Sequence, residues 1–343
     1  MPHRRTTFSK FIIEDRRRAG PDGGALAALL NDVQTACKFI ALAVARGALG
    51  AVPLDTIADD IMTTTCEGGG QLAGLLSQHA GAPHPIPPVD PRGRYLLVVD
   101  PLDGASEADI NIPVGTIFSV LEMPEPDRDA EPADFLQPGV RQVAAGYALY
   151  GPASMLVVTL GAGVHGFTLD REIGAYTLTQ PGIRVPSATN EFAVNASAER
   201  HWEQPVRRYV QECLDGSAGP RQADCTIRWS ASLVGEMHRI LVRGGLFMAP
   251  RDRREGLREG HVRLLSQANP MAMLIEQAGG AASTGRERTL GVTPVTADQR
   301  IPLFLGSSDE IDRIERYHRS YDAGEDTRLT APLFQSRSLF RAS

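Results

Sequence analysis

Apolar residues follow two different rhythms in the first half of the chain. From Leu26 to Arg46 they recur at steps of three and four residues and the run ends at glycine, which predicts one or two helices. The same spacing predicts a short helix over 57–64. Short apolar runs bounded by polar, glycine or proline residues predict four strands, at 94–99, 116–121, 143–150 and 155–160.

The second half mixes helical and extended patterns more closely. Helices are predicted over 206–213, 231–243 and 269–280, the last with Asn269 as its N-cap and Pro270 in its first turn. The segments "GGLFMAP" and "IPLFLGSS" predict short strands. The prolines between 181 and 186 predict a boundary between two domains, 1–183 and 184–343. We therefore expect an α/β or α+β protein of two halves.

The composition of the chain indicates its number of domains and excludes some classes of binding partner. The 343 residues exceed what a single core usually organises, in agreement with two domains. The net charge is −6 and no run of Lys and Arg exceeds three residues, so we expect no binding to nucleic acid. The chain has no 18 uninterrupted apolar residues, and we expect no membrane span. Four cysteines without paired spacing and an N-terminus without a signal-peptide core predict a cytoplasmic protein.

Two aspartates follow the apolar run at 94–99 and are the strongest candidates for chemistry. In "VVDPLDGAS" the strand is predicted to stop at Asp100, and Asp103 follows on the turn. Two carboxylates and the Leu102 carbonyl between them are oxygen ligands of the kind that Mg²⁺ prefers. The backbone N–H groups of residues 104–106 would then meet an anion. Together these features suit metal-assisted hydrolysis of a phosphate ester. Alternatively, Asp100 caps a turn and Asp103 caps a helix.

The segment "VVDPLDGASEADINIPVGTIFSV" resembles the signature of class I fructose-1,6-bisphosphatase, DPLDGSSNID followed by VGTIF. The segments "EFAVNASAERHWEQPVRRYV", "IRWSASLVGEMHRILVRGGLFMAP" and "HVRLLSQANPMAMLIEQAGGAAS" resemble bacterial members of that family, so the similarity covers nearly the whole chain. The resemblance implies a two-domain layered αβαβα sandwich of the sugar-phosphatase type. It also implies a Mg²⁺-dependent phosphatase site between the domains and a homotetramer.

The resemblance also implies roles for individual residues. Asp100, Leu102 and Asp103 stand where the family binds metal, and Asp55 in "PLDTIADD" stands where an aspartate helps to activate water. The catalytic residues would then be Asp55 and Asp103. The implied substrate-binding residues are Asp103, Gly104, Ala105, Ser106, Asn195, Arg228 and His261.

The chain departs from the family at three positions that should carry anionic metal ligands. A Glu-Glu pair is replaced by Gln78 and His79 in "LSQHAGAPHPIP", and the glutamate of a YEANP-like segment is replaced by Gln267 in "SQANP". Amides and imidazole are poor substitutes for anionic oxygen around a hard ion. Glu107 adds one carboxylate close to Asp103.

The substrate-binding and loop positions depart as well. Ala249 and His261 stand where the family has a phosphate-binding tyrosine and lysine. Between "ARGALG" and "PLD" only Ala51 and Val52 stand where the family has a loop that closes over the site. A site without that loop would be less well shielded from water.

Two functional hypotheses follow. The first is a Mg²⁺-dependent phosphatase of carbohydrate metabolism, in gluconeogenesis or the Calvin cycle, that slowly hydrolyses fructose 1,6-bisphosphate to fructose 6-phosphate and phosphate. The second is a catalytically dead paralogue. It would bind phosphate, or regulate an active phosphatase by joining its tetramers as a heteromer.

Overall fold

The computed structural model describes residues 6–325, except 20–22, 48–51, 88–89, 91 and 126–127. The predicted loss of a closing loop falls on Ala51 and Val52, and Ala51 lies outside the described residues. The first half contains helices α1 (Phe8–Ala19), α2 (Gly23–Arg46) and α3 (Leu54–Glu67). Its first strands are β1 (Leu72–Ser77) and β2 (Tyr95–Asp103), followed by a one-turn helix α4 (Ala105–Ala108) and by β3 (Val114–Glu122), β4 (Ala144–Tyr150), β5 (Ser154–Thr159), β6 (Val164–Asp170) and β7 (Ala175–Ile183).

These strands form one seven-stranded sheet in the order β1 to β7. Strand β1 pairs with β2 in parallel, and all later neighbours pair antiparallel. The four predicted strands and the long helix are confirmed, the latter as a single helix. The helix predicted over 57–64 is present as α3, which extends three residues further at each end. The sequence pattern missed α1, β1, β6 and β7.

The second half contains a smaller, five-stranded sheet. Its elements are β8 (Glu191–Val194), α5 (Gln204–Leu214), β9 (Thr226–Ile227), α6 (Leu233–Arg243), β10 (Leu246–Ala249), β11 (Val262–Arg263), α7 (Asn269–Gln277), β12 (Ala281–Ser283), β13 (Arg300–Ile301), β14 (Leu303–Gly306) and α8 (Ser308–Asp322). The sheet order is β12-β14-β10-β8-β9, and β11 pairs separately with β13.

Alternating side chains assign the helices to three layers around the two sheets. In β3, Phe118 packs with α1, α2 and α3, whereas Ile117 faces α6 and α7 on the opposite side of the sheet. In β10, Phe247 faces α6 and α7, whereas Met248 packs with α5 and α8. Successive residues of a strand point to opposite faces of its sheet. The order of layers is therefore α1–α3, large sheet, α6–α7, small sheet, α5–α8, which confirms the αβαβα sandwich.

Helix α2 is long and apolar enough to cross a membrane by length and composition alone. Its buried residues, such as Leu29, Leu30 and Val33, belong to the core between the first helical layer and the large sheet. We therefore interpret α2 as a core helix.

The start of α7 differs from its prediction. Asn269 has helical φ and ψ of −60° and −51°, so it lies inside the helical segment and does not cap it. A π-helical turn, Leu264–Ala268, precedes α7, and the helix ends at Gln277 instead of Gly280. Proline at 270 has no N–H to donate, which favours an irregular turn at this point. The turn contains Gln267, one of the substituted positions.

Candidate active site

Asp100 and Asp103 belong to β2 itself, so the prediction that this strand stops at Val99 is wrong. Asp100 pairs with Ile117 and Asp103 pairs with Gly115 on β3, which leaves one extra residue on β2 and forms a bulge. Pro101 lies in the bulge, where its missing N–H removes no regular ladder bond. The exposed fractions of Asp100 and Asp103 are 0% and 6%. The bulge therefore holds two carboxylates close together inside the protein.

Asp103 connects the large sheet to the middle helical layer. Its Oδ2 accepts hydrogen bonds from the Val234 backbone N–H at 2.9 Å and from Ser232 Oγ at 3.1 Å. Ser232 is the N-cap of α6, so the carboxylate also lies at the positive end of that helix. The alternative in which Asp103 caps a helix thus describes part of its environment. The helix is α6, 131 residues away in sequence.

Burial raises the pKa of both carboxyls. For Asp100 burial and the nearby Asp103 charge raise the pKa to about 7, against a hydrogen bond from Gln267. For Asp103 burial raises the pKa to about 6, against hydrogen bonds from Val234 and Ser232. The pair is therefore an electrostatically costly arrangement that a cation would stabilise.

The substituted position Gln267 meets Asp100 directly. Gln267 Nε2 donates to Asp100 Oδ2 at 2.8 Å, and Gln267 Oε1 accepts from the Arg263 backbone N–H at 3.1 Å. The other carboxylate oxygen, Asp100 Oδ1, is buried and has no hydrogen-bond partner. One oxygen of Asp100 is therefore occupied by an amide, and the other is left to accept a ligand.

The other two substituted positions line a cavity of about 390 Å³ beside β1. Gln78 Oε1 accepts a hydrogen bond from Ser266 Oγ at 2.8 Å, which ties β1 to the π-helical turn. His79 is exposed, and its backbone N–H contacts Ser77 Oγ at 3.3 Å. Arg263 and Asp298 also line this cavity, so its wall carries a cation and a carboxylate where the resemblance implies two glutamates.

These donors fit one hard cation and do not fit a cluster of two or three. Within the described ranges, no three His, Cys, Asp or Glu side chains come together as a metal-binding group. The unpartnered Asp100 Oδ1 is suited to one cation. The amide of Gln267 presents its N–H group to Asp100, and an N–H donor cannot act as a metal ligand. Glu107, which adds a carboxylate close to Asp103 in sequence, does not complete a metal-binding group among the described residues.

Asp55 lies in the first turn of α3. Its Oδ1 accepts a hydrogen bond from the Thr56 N–H at 2.7 Å. In the part of the chain that the structure describes, Asp55 makes no hydrogen bond to Asp100 or Asp103. Asp59, one turn further along α3, bonds to Ser77 Oγ at the end of β1, a contact that the sequence did not indicate. The structure therefore gives Asp55 a half-buried position in the first turn of α3.

The turn after Asp103 requires a glycine. Gly104 has φ +76°, and a Cβ there would lie 3.2 Å from Ser232 Cβ. The next residues, including Ala105 and Ser106, form α4, and the Glu107 N–H is already bonded to Gly104 O at 2.8 Å. The Glu107 N–H is therefore not open to an anion. The open N–H groups of residues 104–106 remain a prediction.

A cavity of about 260 Å³ adjoins Asp103 and Gln267. Among the residues implied to bind substrate, its wall contains Asp103, Asn195 and His261. Asn195 Oδ1 accepts hydrogen bonds from Ser197 N and Oγ at 3.2 and 2.6 Å. A cavity of about 470 Å³ next to the end of α2 is larger, but none of the implied catalytic residues lines it. We therefore take the cavity at Asp103 as the candidate substrate pocket.

Arg228 does not lie on the wall of that pocket. Its Nε donates to Glu191 Oε1 at 3.1 Å, and Glu191 also binds Arg239 and Arg243 at 3.0 and 2.8 Å. Gly104, Ala105 and Ser106 are likewise absent from the wall among the residues described. The predicted substrate set is therefore brought together only in part.

Two further residues line the pocket that the sequence did not single out as ligand-binding. The Trp229 ring stacks on Phe247, with centroids 6.2 Å apart and planes 7° apart. Arg254 comes from the loop between β10 and β11 and lines the same pocket as Asp103. The loop "RDRREGLREG" contains four arginines, and no pattern in it distinguishes Arg254 from the others.

Comparisons with known proteins agree with the fold. The family model "Fructose-1-6-bisphosphatase, N-terminal domain" matches residues 6–181, and the C-terminal domain model matches residues 185–319. The chain is 50% identical to a fructose-1,6-bisphosphatase class 1 of Methylacidiphilum infernorum, covering 99% of both chains. It is 47% identical to "Fructose-1,6-bisphosphatase class 1 3" of Methylibium petroleiphilum, covering 98% of both.

A solved structure is similar as well. The crystal structure of Leishmania major fructose-1,6-bisphosphatase in holo form has a TM-score of 0.84 and 31% sequence identity, over 92% of this chain and 99% of that chain. The two family models together match most of the chain, and the two relatives cover 98–99% of it at about 50% identity. The chain therefore belongs to the fructose-1,6-bisphosphatase family.

Proposed function

We propose that the protein hydrolyses fructose 1,6-bisphosphate to fructose 6-phosphate and phosphate, with one Mg²⁺ ion and at a low rate. The observation that carries the proposal is the buried pair Asp100 and Asp103 beside the pocket, with Asp100 Oδ1 unpartnered. Family membership makes a phosphoric monoester hydrolase the expected class of enzyme. We further propose the division into 1–183 and 184–343, a homotetramer, and a cytoplasmic place in carbohydrate metabolism.

The residues of the pocket supply binding and orientation in this proposal. Asp100 Oδ1, the Leu102 carbonyl and Asp103 would hold the ion. When bound, the ion would polarise the phosphoryl group and lower the pKa of the attacking water. Asn195 has its amide N–H₂ left to donate to a phosphate oxygen, since its Oδ1 is taken by Ser197.

Water activation is the role we propose for Asp55. Its Oδ1 is held by the Thr56 N–H, so Oδ2 is the atom left to accept a proton from water. The Trp229 ring offers an apolar face to the sugar. The main limit on the rate is charge, because three positions that would carry anionic ligands are neutral. Removing one group that stabilises transition-state charge typically lowers kcat by roughly 10²–10³.

A second candidate function is supported by the Gln267–Asp100 hydrogen bond. If the amide replaces the ion, the protein binds a phosphorylated ligand without turnover, as a dead paralogue or as the regulatory subunit of an active tetramer. The contact of 2.8 Å is the specific observation in favour of this candidate.

Phosphate release from fructose 1,6-bisphosphate, measured with Mg²⁺, Mn²⁺ and Zn²⁺, distinguishes the two candidates. Asp100→Asn, purified identically, is the control for contaminating phosphatase. Metal-dependent release by the wild type above that control supports hydrolysis. Release only after the triple change Q78E/H79E/Q267E supports the second candidate and identifies ligand loss as the cause. Inactivity of both proteins would overturn the hydrolytic proposal.

A further inference from the structure

Arg254 is the one permanently positive side chain on the pocket wall, within the residues that the structure describes. His261 stands where the resemblance implies a phosphate-binding lysine, but it does not supply the positive charge of a lysine. Burial lowers the pKa of His261, against a nearby Asp252, so the imidazole is neutral at pH 7. Asp103 adds a carboxyl to the same wall. A dianionic phosphate group therefore needs a cation that the implied substrate residues on this wall, Asp103, Asn195 and His261, do not supply.

Asp252 holds Arg254 in a defined position. The Asp252 side chain is buried, and its two oxygens accept from Arg254 Nε at 2.9 Å and from Nη2 at 2.5 Å. The Arg254 backbone N–H also donates to Asp252 Oδ1 at 2.9 Å. The hydrogen bonds from Arg254 lower the pKa of Asp252 to about 2, so this carboxylate stays ionised at neutral pH. The guanidinium is thus fixed by a bidentate contact on one edge.

The opposite edge of the guanidinium remains able to bind an anion. A guanidinium has five N–H donors, and the contacts to Asp252 use Nε and Nη2. The side chain of Arg254 is 47% exposed and lines the pocket, and its contacts with Asp252 do not use Nη1. Planar guanidinium groups bind phosphate through paired hydrogen bonds.

We propose that Arg254, positioned by Asp252, binds a phosphate group of the ligand in this pocket. The inference rests on the proposed function, because it assigns the ligand contact at that same site. Arg254 supplies the charge of the missing lysine, and it lines the same pocket as Ala249, which stands where the resemblance implies a tyrosine. Asp252 is a positioning residue, since it acts through Arg254.

The test measures binding of fructose 6-phosphate and of inorganic phosphate by quenching of tryptophan fluorescence. The chain has two tryptophans, of which Trp202 is buried and Trp229 is 44% exposed on the pocket wall. We expect Arg254→Gln to weaken binding of both probes by about 10- to 100-fold, as for the loss of a charge-assisted hydrogen bond. Arg254→Lys should retain part of the affinity.

Arg253→Gln is the matched control, because Arg253 is the preceding residue of the same loop and lines a different cavity. It should bind both probes as the wild type does. Asp252→Asn should weaken binding in the wild-type background but add little to Arg254→Gln, whereas a purely structural role would give additive losses. Thermal unfolding of each variant verifies that it is folded.

Equal affinity of Arg254→Gln and wild type would overturn the inference while leaving the proposed function intact. Equal losses in Arg254→Gln and Arg253→Gln would overturn it too, since a general effect of loop charge would explain them. If the wild type binds neither probe at millimolar concentration and releases no phosphate from fructose 1,6-bisphosphate, the proposed function itself has failed, and the inference with it.

Discussion

Gln267 donates a hydrogen bond through Nε2 to Asp100 Oδ2 at 2.8 Å, across 167 residues of sequence. The contact joins the π-helical turn before α7 to the bulge of β2. Through this contact the buried Asp100 carboxylate is paired with a neutral amide N–H group. The resemblance implies a glutamate at position 267 and a metal ion between the two carboxylates. The low metal affinity that we propose follows from this exchange of an anion for an amide.

Gln267→Glu should make the stability of the protein depend on Mg²⁺. Without metal, a second carboxyl next to Asp100 removes one hydrogen bond and adds like-charge repulsion, which we expect to cost about 1–3 kcal/mol. With Mg²⁺ the two carboxylates share a cation, and stability should recover. Thermal unfolding with and without Mg²⁺ measures the difference, and the wild type should respond weakly.

Gln267→Met is the control for this prediction. Methionine has a similar size and lacks the amide, so the variant should lose stability without gaining a response to Mg²⁺. If Gln267→Glu and Gln267→Met respond to Mg²⁺ alike, the substitution at 267 does not determine metal binding.

Gly115→Ala should disturb the packing that holds Asp103. A Cβ on Gly115 would lie 2.3 Å from the Ala148 carbonyl oxygen and 2.7 Å from Val234 Cγ1. Val234 donates the backbone hydrogen bond to Asp103, so displacement of α6 weakens that contact. Overpacking of this kind typically costs about 1–3 kcal/mol. Chemical denaturation measures the loss.

Gly24→Ala is the matched substitution in an uncrowded position. Its Cβ would have no neighbour within 4 Å, and Gly24 lies in α2, where alanine is favoured over glycine by about 0.5–1 kcal/mol. Gly24→Ala should therefore leave stability unchanged or raise it. Equal effects of the two substitutions would refute the packing argument.

The pH dependence of stability should include a contribution from Glu203. Burial alone would raise the pKa of Glu203, but interactions with His318 and Arg286 outweigh it and lower the pKa to about 2. A carboxyl whose pKa is lower in the folded state stabilises the protein above its unfolded value, near 4.5, and loses that effect as pH falls toward 2. The contribution at neutral pH is about 3 kcal/mol by this linkage.

Glu203→Gln should flatten the loss of stability between pH 4.5 and 2. Denaturant unfolding at a series of pH values measures it. Glu199→Gln, at an exposed position in the preceding 3₁₀ turn, serves as the control and should keep the wild-type profile. A Glu203→Gln profile parallel to that of the wild type would contradict the prediction.

The sequence predicted the buried elements best. Strands β3 and β4 are almost completely buried and rich in apolar residues, and α2 has a regular apolar face, so the sequence patterns of all three are clear. Strand β7 was missed because it contains Pro181, a residue that disfavours strands. The sheet tolerates this proline because β7 is an edge strand. Helices α1 and α8 were missed because charged residues dominate them and only one face is buried.

The candidate site was predictable where its residues are close in sequence. Asp100, Leu102 and Asp103 could be identified from one short segment, since an apolar strand leads directly into them. The contacts of Asp103 with Val234 and of Asp100 with Gln267 depend on how β2 meets α6 and the π-helical turn. Tertiary packing sets such contacts, and no local pattern reports them. For the same reason the sequence did not distinguish Arg254 from its neighbouring arginines.

Titration calorimetry of Mg²⁺ into the purified wild-type protein, with fructose 6-phosphate and phosphate present, tests the central claim most directly. The claim is that too few anionic oxygens remain to hold a cluster of metal ions. For the wild type we predict at most one Mg²⁺ ion per chain, bound weakly. For Q78E/H79E/Q267E we predict a larger number of bound Mg²⁺ ions per chain. Two or more Mg²⁺ ions bound to the wild type with micromolar affinity would contradict the account.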